Sequence, residues 1–323
     1  MNISWLDKYR PSNITSLNTH ENIINTLNIM KTNNCVPNLL CYGPPGSGKT
    51  LTMTIFGNCL YEQYAKLNIM TINASDERGI STIRDKISKF IDARSLFTTI
   101  SNEMPRKMVI MDEADYMTED AQYAITNIMD EHPDILFVFI CNYIYKIHES
   151  IHSRCLTLHF RAIPVKNMKT IVSSIVSKEQ MNISDSAIQL ICELTHNDMR
   201  SGMYMLQSMN HLNKRITPKN IYSYYQYPTA SHIHRILSIV KEQNISSVYS
   251  YIVKLLHDSG IRVIHIVNEL YTAIVSNISV PKDILRDFIV QFAELEYNLT
   301  YEHTNEILIG NIACCLWLIK EYL

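Results

Sequence analysis

Residues 43–50 read Gly-Pro-Pro-Gly-Ser-Gly-Lys-Thr. Gly43, Gly48, Lys49 and Thr50 meet the pattern G-x-x-x-x-G-K-[ST], and the apolar run Asn38-Leu39-Leu40-Cys41-Tyr42 just before them reads as a buried strand. A glycine-rich turn between a strand and a helix lets backbone N–H groups converge on phosphate oxygens at the positive end of the helix. Lys49 adds a point charge beside the β and γ phosphates, and Thr50 offers a hydroxyl to Mg²⁺. The stretch predicts an α/β P-loop domain in which Gly43, Pro44, Pro45, Gly46, Ser47, Gly48, Lys49 and Thr50 surround a nucleoside triphosphate. A chance match in a glycine turn is the alternative, and a second motif argues against it.

That motif is Val109-Ile110-Met111-Asp112-Glu113-Ala114-Asp115, an apolar strand ending in adjacent carboxylates. Asp112, at the strand end, can reach the metal; Glu113, one step on, can orient and deprotonate a water for attack on the γ-phosphate. Alone, such a pair has a less favoured alternative as a solvated turn or a helix N-cap. A third strand, 136–141, ends in Asn142, whose neutral amide can hydrogen-bond the γ-phosphate or the attacking water, or simply terminate the strand. Two arginines stand at similar boundaries. Ile151-His152-Ser153-Arg154-Cys155 precedes the last strand of the domain, and Asp198-Met199-Arg200 opens a helix in the next. Arg154 and Arg200 either complete a γ-phosphate site, in cis or from a neighbouring chain, or form surface salt bridges.

Around these motifs, short apolar strands at 38–42, 69–73, 107–112, 136–141 and 156–160 alternate with helical segments, as in a parallel sheet with crossover helices. From Pro164 to about 226 the texture is helical only. The segment Tyr224-Tyr225-Gln226-Tyr227-Pro228 reads as a linker, followed by three to five amphipathic helices with no strand signal. Ile307 and Tyr271 fall on their apolar faces, and Trp317 and those faces suit either an ordinary bundle core or contact with other subunits. The expected domains are 1–162, a nucleotide-binding α/β domain, 163–226, a small helical lid, and 227–323, an all-α collar.

The chain has 323 residues, 46% of them hydrophobic, enough for more than one core. Its 29 Lys and Arg against 31 Asp and Glu exclude a global positive field, so any contact with nucleic acid depends on locally placed bases. The eight cysteines include no C-x-x-C pair and no zinc spacing, and are read as reduced core residues of an intracellular protein. The N-terminus lacks a signal-peptide pattern, and no window reaches the roughly 18 apolar residues of a membrane span. A soluble protein without membrane partners is expected.

Several strings together resemble one family, the AAA+ clamp loaders, and within it the small subunits of eukaryotic or archaeal-type replication factor C. Trp5-Leu6-Asp7-Lys8-Tyr9-Arg10-Pro11 resembles the W-x-x-K-Y-R-P box that packs near the adenine, Asn73 to Ile80 the N-A-S-D-x-R-G-I box, Asp112 to Asp115 the D-E-A-D box, and Ser153-Arg154-Cys155 the S-R-C box. The resemblance covers 1–210 strongly and the remainder by length and helical character. It implies ATP and Mg²⁺ as ligands, with Tyr9, Arg10 and Pro11 beside the nucleotide, Lys49 and Thr50 on phosphate and metal, Asp112 on the metal and Glu113 as catalytic carboxylate. Asn142 and Arg200 become the two sensors, and Arg154 an arginine finger acting on ATP of the adjacent subunit. The resemblance further implies a heteropentamer that opens a sliding clamp and sets it on primer–template DNA. Arg78, Arg84 and Lys89 would track DNA phosphates, and Ser95, Leu96 and Phe97 would touch the clamp. Thr126 and Asn127 depart from the family, standing where its small subunits carry an arginine pair.

Two other functions compete: a scaffold that binds ATP without turnover, and an AAA+ DNA motor of the branch-migration type. Intact Glu113 argues against the first, and the S-R-C and W-x-x-K-Y-R-P boxes against the second. The expected location is a nucleus or a viral replication site.

Overall fold

The computed structural model describes residues 3–14, 19–76, 80–92, 107–212, 215–242, 244–277, 281–301 and 305–322. The chain forms two compact units, Met1–Lys214 and Arg215–Leu323. In the first unit the elements run α1 (Trp5–Lys8), α2 (Glu21–Thr32), β1 (Leu39–Tyr42), α3 (Lys49–Tyr61), α4 (Ala65–Asn68), β2 (Ile69–Asn73), α5 (Ile80–Asp92), β3 (Lys107–Asp112), α6 (Glu119–Glu131), β4 (Ile135–Cys141), α7 (Glu149–His152) and β5 (Leu156–His159). Three helices then follow without a strand: α8 (Val165–Lys178), α9 (Asp185–Leu194) and α10 (Met199–Asn210).

The five strands form one parallel sheet in the order β2-β3-β4-β1-β5. Every residue of β4 is buried, as expected where helices cover both faces. The period-2 alternation of strand side chains sorts the core into two layers. Leu40, Val109, Met111, Phe137 and Phe139 face Ile87 of α5 and Ile125 of α6, whereas Leu39, Cys41, Ile110, Val138 and Ile140 face Leu27 of α2 and Phe56 of α3. From β1 the chain crosses through α3 to β2 at one edge; from β4, the neighbour of β1, it crosses the other way to β5. Crossovers leaving two adjacent strands in opposite directions open a crevice at their carboxyl ends, where residues 43–48 emerge.

Helix starts are fixed by side chains as the local sequence dictates: Thr118 accepts from Ala121 N ahead of α6, Ser184 from Ala187 N ahead of α9, and Asp198 from Arg200 N ahead of α10.

The second unit contains α11 (Pro218–Tyr224), α12 (Ala230–Glu242), α13 (Ile245–Ser259), α14 (Val263–Asn277), α15 (Lys282–Tyr301) and α16 (Asn305–Leu318), with no strand among its described residues. Ile236, Ile252, Leu270, Phe288 and Ile312 lie at the centre of one core, each fully buried. Gly260, at φ +64°, ends α13 in the left-handed conformation that a glycine C-cap supplies.

Two expectations need correction. Ile307 and Tyr271 face outward, because their helices bury only the side turned to the bundle. All eight cysteines are free, but only Cys41, Cys141, Cys192 and Cys315 are buried, while Cys35 and Cys314 are exposed. The compact units divide at 214/215, ahead of the segment 224–228 read as a linker. No described helix is long and apolar enough to cross a membrane.

Candidate nucleotide site

The loop between β1 and α3 demands three glycines for different reasons. Gly43, Gly46 and Gly48 have φ of +148°, +69° and +88°, which L side chains rarely adopt. A Cβ on Gly43 would lie 1.9 Å from the carbonyl oxygen of Phe160, and one on Gly46 would lie 1.7 Å from Oδ1 of Asp198; Gly48 faces open space. The first two therefore hold the loop against β5 and against the cap of α10. His20 braces the loop from the other side: its Nε2 donates to Ser47 O at 2.9 Å while its ring meets Phe160 edge-on. Burial lowers the His20 pKa, so the imidazole stays neutral near pH 7.

Lys49, 7% exposed, donates from Nζ to Gly43 O (2.8 Å), Pro44 O (2.9 Å) and Asn142 Oδ1 (2.8 Å). Its pKa is lowered, chiefly by burial. The loop carbonyls and Asn142 thus take all three ammonium donors, and the β4 terminus is tied to the loop through Asn142. Thr50 Oγ1 donates to Asp112 Oδ2 at 2.9 Å, so a hydroxyl and a carboxylate converge at the end of β3. Such hard oxygen donors suit Mg²⁺.

Next to Asp112, Glu113 has φ +56°, a conformation that costs a non-glycine residue about 1–3 kcal/mol and clusters at functional sites. Its N–H donates to Asp112 Oδ1 at 3.0 Å. Asp115, 6% exposed, accepts at Oδ2 from both Asn142 N and Tyr143 N at 3.3 Å. It thereby fixes the backbone that presents the Asn142 amide to Lys49. The sequence reading gave Asp115 no task of its own, and His20 and Asp198 likewise had no motif to mark them; the acidic strand end was the available signal for Asp115.

Two adjoining cavities, about 220 and about 430 Å³, open around these groups. The smaller is lined by Lys49, Thr50, Asp112, Glu113, Asn142 and Arg200. The larger adds Tyr9, Arg10 and Pro11 with Ile171 and Ile175 of α8 and Met203 of α10, an apolar recess beside the glycine-rich loop. The N-terminal segment is tied to the helices that follow the sheet: Lys8 Nζ and Tyr9 OH both donate to Glu179, and Trp5 N donates to Gln207 Oε1 at 3.1 Å. The Lys8 hydrogen bond holds the Glu179 carboxyl below its ordinary pKa.

The structure brings Tyr9, Arg10, Pro11, Gly46, Gly48, Lys49, Thr50, Asp112, Glu113, Asn142 and Arg200 to the walls of the two cavities, with Ser47 in the larger and Pro45 in the smaller. Pro44 stands in the loop itself, its carbonyl taken by Lys49. Arg154 lines neither cavity. It lies just before β5, whose first residue, Leu156, pairs with Leu39 at the amino end of β1, away from the loop that leaves the other end. Arg84 and Lys89 are exposed on α5, but five positions place them about 140° apart around a helix, so one straight phosphate track cannot meet both equally. Arg78, Ser95, Leu96 and Phe97 lie outside the described residues. Of the two residues replacing the arginine pair, Thr126 is buried and donates to Tyr123 O, and Asn127 is exposed.

Comparison with known proteins follows the same division. Residues 39–161 match the model of the ATPase family associated with various cellular activities (AAA), and residues 228–315 match the replication factor C C-terminal domain. Replication factor C subunit 3 of Oryza sativa subsp. japonica is 32% identical, over 95% of this chain and 84% of that protein. Probable replication factor C subunit 5 of Dictyostelium discoideum is 31% identical, over 99% and 92%. The structure of the Thermotoga maritima RuvB Holliday junction branch migration motor superposes with a TM-score of 0.53 at 15% identity, covering 84% of this chain and 93% of that one, a likeness of fold. Matched along nearly its whole length by relatives that share one name, the chain belongs to the replication factor C family.

Proposed function

We propose that this chain is an ATP-hydrolysing small subunit of a replication factor C-like complex that loads a sliding clamp onto primed DNA. The observation that carries the reading is the convergence of Lys49, Thr50, Asp112, Glu113, Asn142 and Arg200 on one cavity. In this reading Lys49 and the loop amides hold the triphosphate of ATP, and the recess bounded by Tyr9, Arg10 and Pro11 takes the adenine. Thr50 and Asp112 would hold Mg²⁺, which neutralises phosphate charge when bound. Glu113 takes a proton from the attacking water, and Asn142 and Arg200 orient the water and grip the γ-phosphate. Residues 163–226 act as a lid over the nucleotide and 227–323 as a collar joining neighbouring subunits.

Arg154, remote from this chain's own cavities, reaches the γ-phosphate of the adjacent subunit's ATP. Loss of that phosphate removes what the finger and sensors hold across each interface, so hydrolysis releases clamp and DNA together. DNA contact is through phosphates, with Arg78, Arg84 and Lys89 as candidates, and clamp contact through Ser95, Leu96 and Phe97. The complex works inside the cell, in a nucleus or at a viral replication site.

The test is steady-state ATPase of the assembled complex, with and without sliding clamp plus primed DNA, for wild type and Arg154→Ala. Turnover should rise with clamp and DNA and collapse in the variant. Turnover indifferent to both would replace this reading with a motor or a scaffold.

A further inference from the structure

The guanidinium of Arg154 is gripped by its own chain. Nε and Nη2 donate to the two carboxylate oxygens of Asp130 at 2.9 and 2.8 Å, and Nη1 donates to Ser150 O at 3.0 Å. The acceptors come from two elements. Asp130 stands in the last turn of α6, packed on the sheet through Ile128 and Met129, and Ser150 belongs to α7. That short helix is itself fixed, because His148 Nδ1 accepts from Ser150 N at 3.1 Å and His148 N donates to Gln122 Oε1 at 2.7 Å. The grip on Arg154 is thus anchored in the core.

A guanidinium has five N–H donors in a rigid plane. Three are used here, which leaves one on each terminal nitrogen. The Asp130 fork occupies the side edge of the plane, and the two remaining donors are left for an incoming anion. The Arg154 and Asp130 side chains are 38% and 57% exposed, so their pairing adds little to folding stability. Its effect is to restrict a long side chain to one orientation before it meets a phosphate, and orientation fixed in advance favours catalysis. The pairing with Arg154 also holds the Asp130 carboxyl below its ordinary pKa, so the fork stays ionised.

We propose that Asp130 is a positioning residue for Arg154: it locks the guanidinium so that its two free donors point out of this chain toward the γ-phosphate on the adjacent subunit. Asp130 touches no nucleotide itself. The inference rests on the reading of Arg154 as a finger acting across an interface.

The experiment compares ATPase of the native assembly containing wild type, Asp130→Ala, Asp130→Glu, Arg154→Ala and the double variant, with assembly checked by size. Asp130→Ala should lower kcat about tenfold, the usual scale for loss of a supporting residue, with KM for ATP within about twofold. Asp130→Glu should recover at least half of that loss, and Asp130→Ala should cost nothing further in the Arg154→Ala background. Should Asp130→Ala disturb assembly, Asp130→Asn, which keeps the shape, reads the same contrasts. An unchanged or raised kcat on removing the carboxylate, or an equal loss with and without Arg154, would overturn the proposal. An inert Arg154→Ala beside an active Asp130→Ala would instead discard the finger itself.

Discussion

Among the described residues, every buried polar or charged side chain, Lys49 and Asp115 included, lies in the first compact unit, while the second buries no polar or charged side chain. The first unit also holds Glu113 in a left-handed conformation and an ammonium bonded to two carbonyls and an amide. These arrangements cost free energy, and the parallel sheet beneath them stabilises the unit against that cost. The second unit holds one left-handed non-glycine residue, Gln226, but buries no charge among its described residues. Its helices are set by apolar periodicity, and many sequences of equal pattern would serve. A site places demands on particular atoms, whereas a bundle places them on volume and spacing.

Four measurements would break or sharpen that contrast. The largest effect is expected from Phe288→Ala, which removes a fully buried ring from the bundle and should cost about 3–5 kcal/mol of stability in thermal or denaturant unfolding. Nucleotide affinity should stay unchanged; a large shift in affinity would mean that the units are not energetically separate. Next, Glu113→Gln should reduce turnover about a hundredfold to a thousandfold while ATP still binds, as read by single-turnover hydrolysis and equilibrium binding. Retained turnover would show that the strained carboxylate has no catalytic task.

A smaller change is expected from Asp115→Ala. Removing the acceptor from the N–H groups of Asn142 and Tyr143 leaves both without it and should cost about 1–3 kcal/mol of stability. The same variant should lower kcat about tenfold by releasing the Asn142 amide. Normal kcat would separate the β4 terminus from the chemistry.

The smallest effect concerns pH. His20 in the first unit and His265 in the second both have pKa values lowered, chiefly by burial. A depressed histidine pKa means that the unfolded chain takes up a proton first, so each unit's stability is full above about pH 6.5 and falls as pH drops through that value. The slope is at most about 1.4 kcal/mol per pH unit for each group. His20→Gln should flatten the acid limb of the first unit alone and His265→Gln that of the second; cross-effects would again join what the fold separates.

The same contrast explains what could be read from sequence. The strands were legible to within a residue or so, because burial on both faces forces continuous apolar runs such as Ile135–Cys141. That Lys49, Thr50, Asp112, Glu113 and Asn142 would meet around one cavity was legible because the motifs set them at strand ends and at the start of a helix. The partners that hold them were not. His20 is 27 residues from the carbonyl it meets, and Asp130 is 24 from Arg154; such pairings exist only after the chain crosses over the sheet. In the bundle, periodicity identified the helices but could not decide that Ile307 faces out, since an isoleucine fits either side of a wide apolar face.

The close approach of Gly46 to Asp198 has a mechanical meaning. At Gly46 the loop backbone lies directly against the carboxylate of Asp198, the side chain that caps the helix, and Arg200 sits two residues along the same helix. A linkage with so little clearance has almost no play. A displacement of the loop would press first on this capping carboxylate, so the loop and the start of the helix that carries Arg200 are coupled like a lever and its pin.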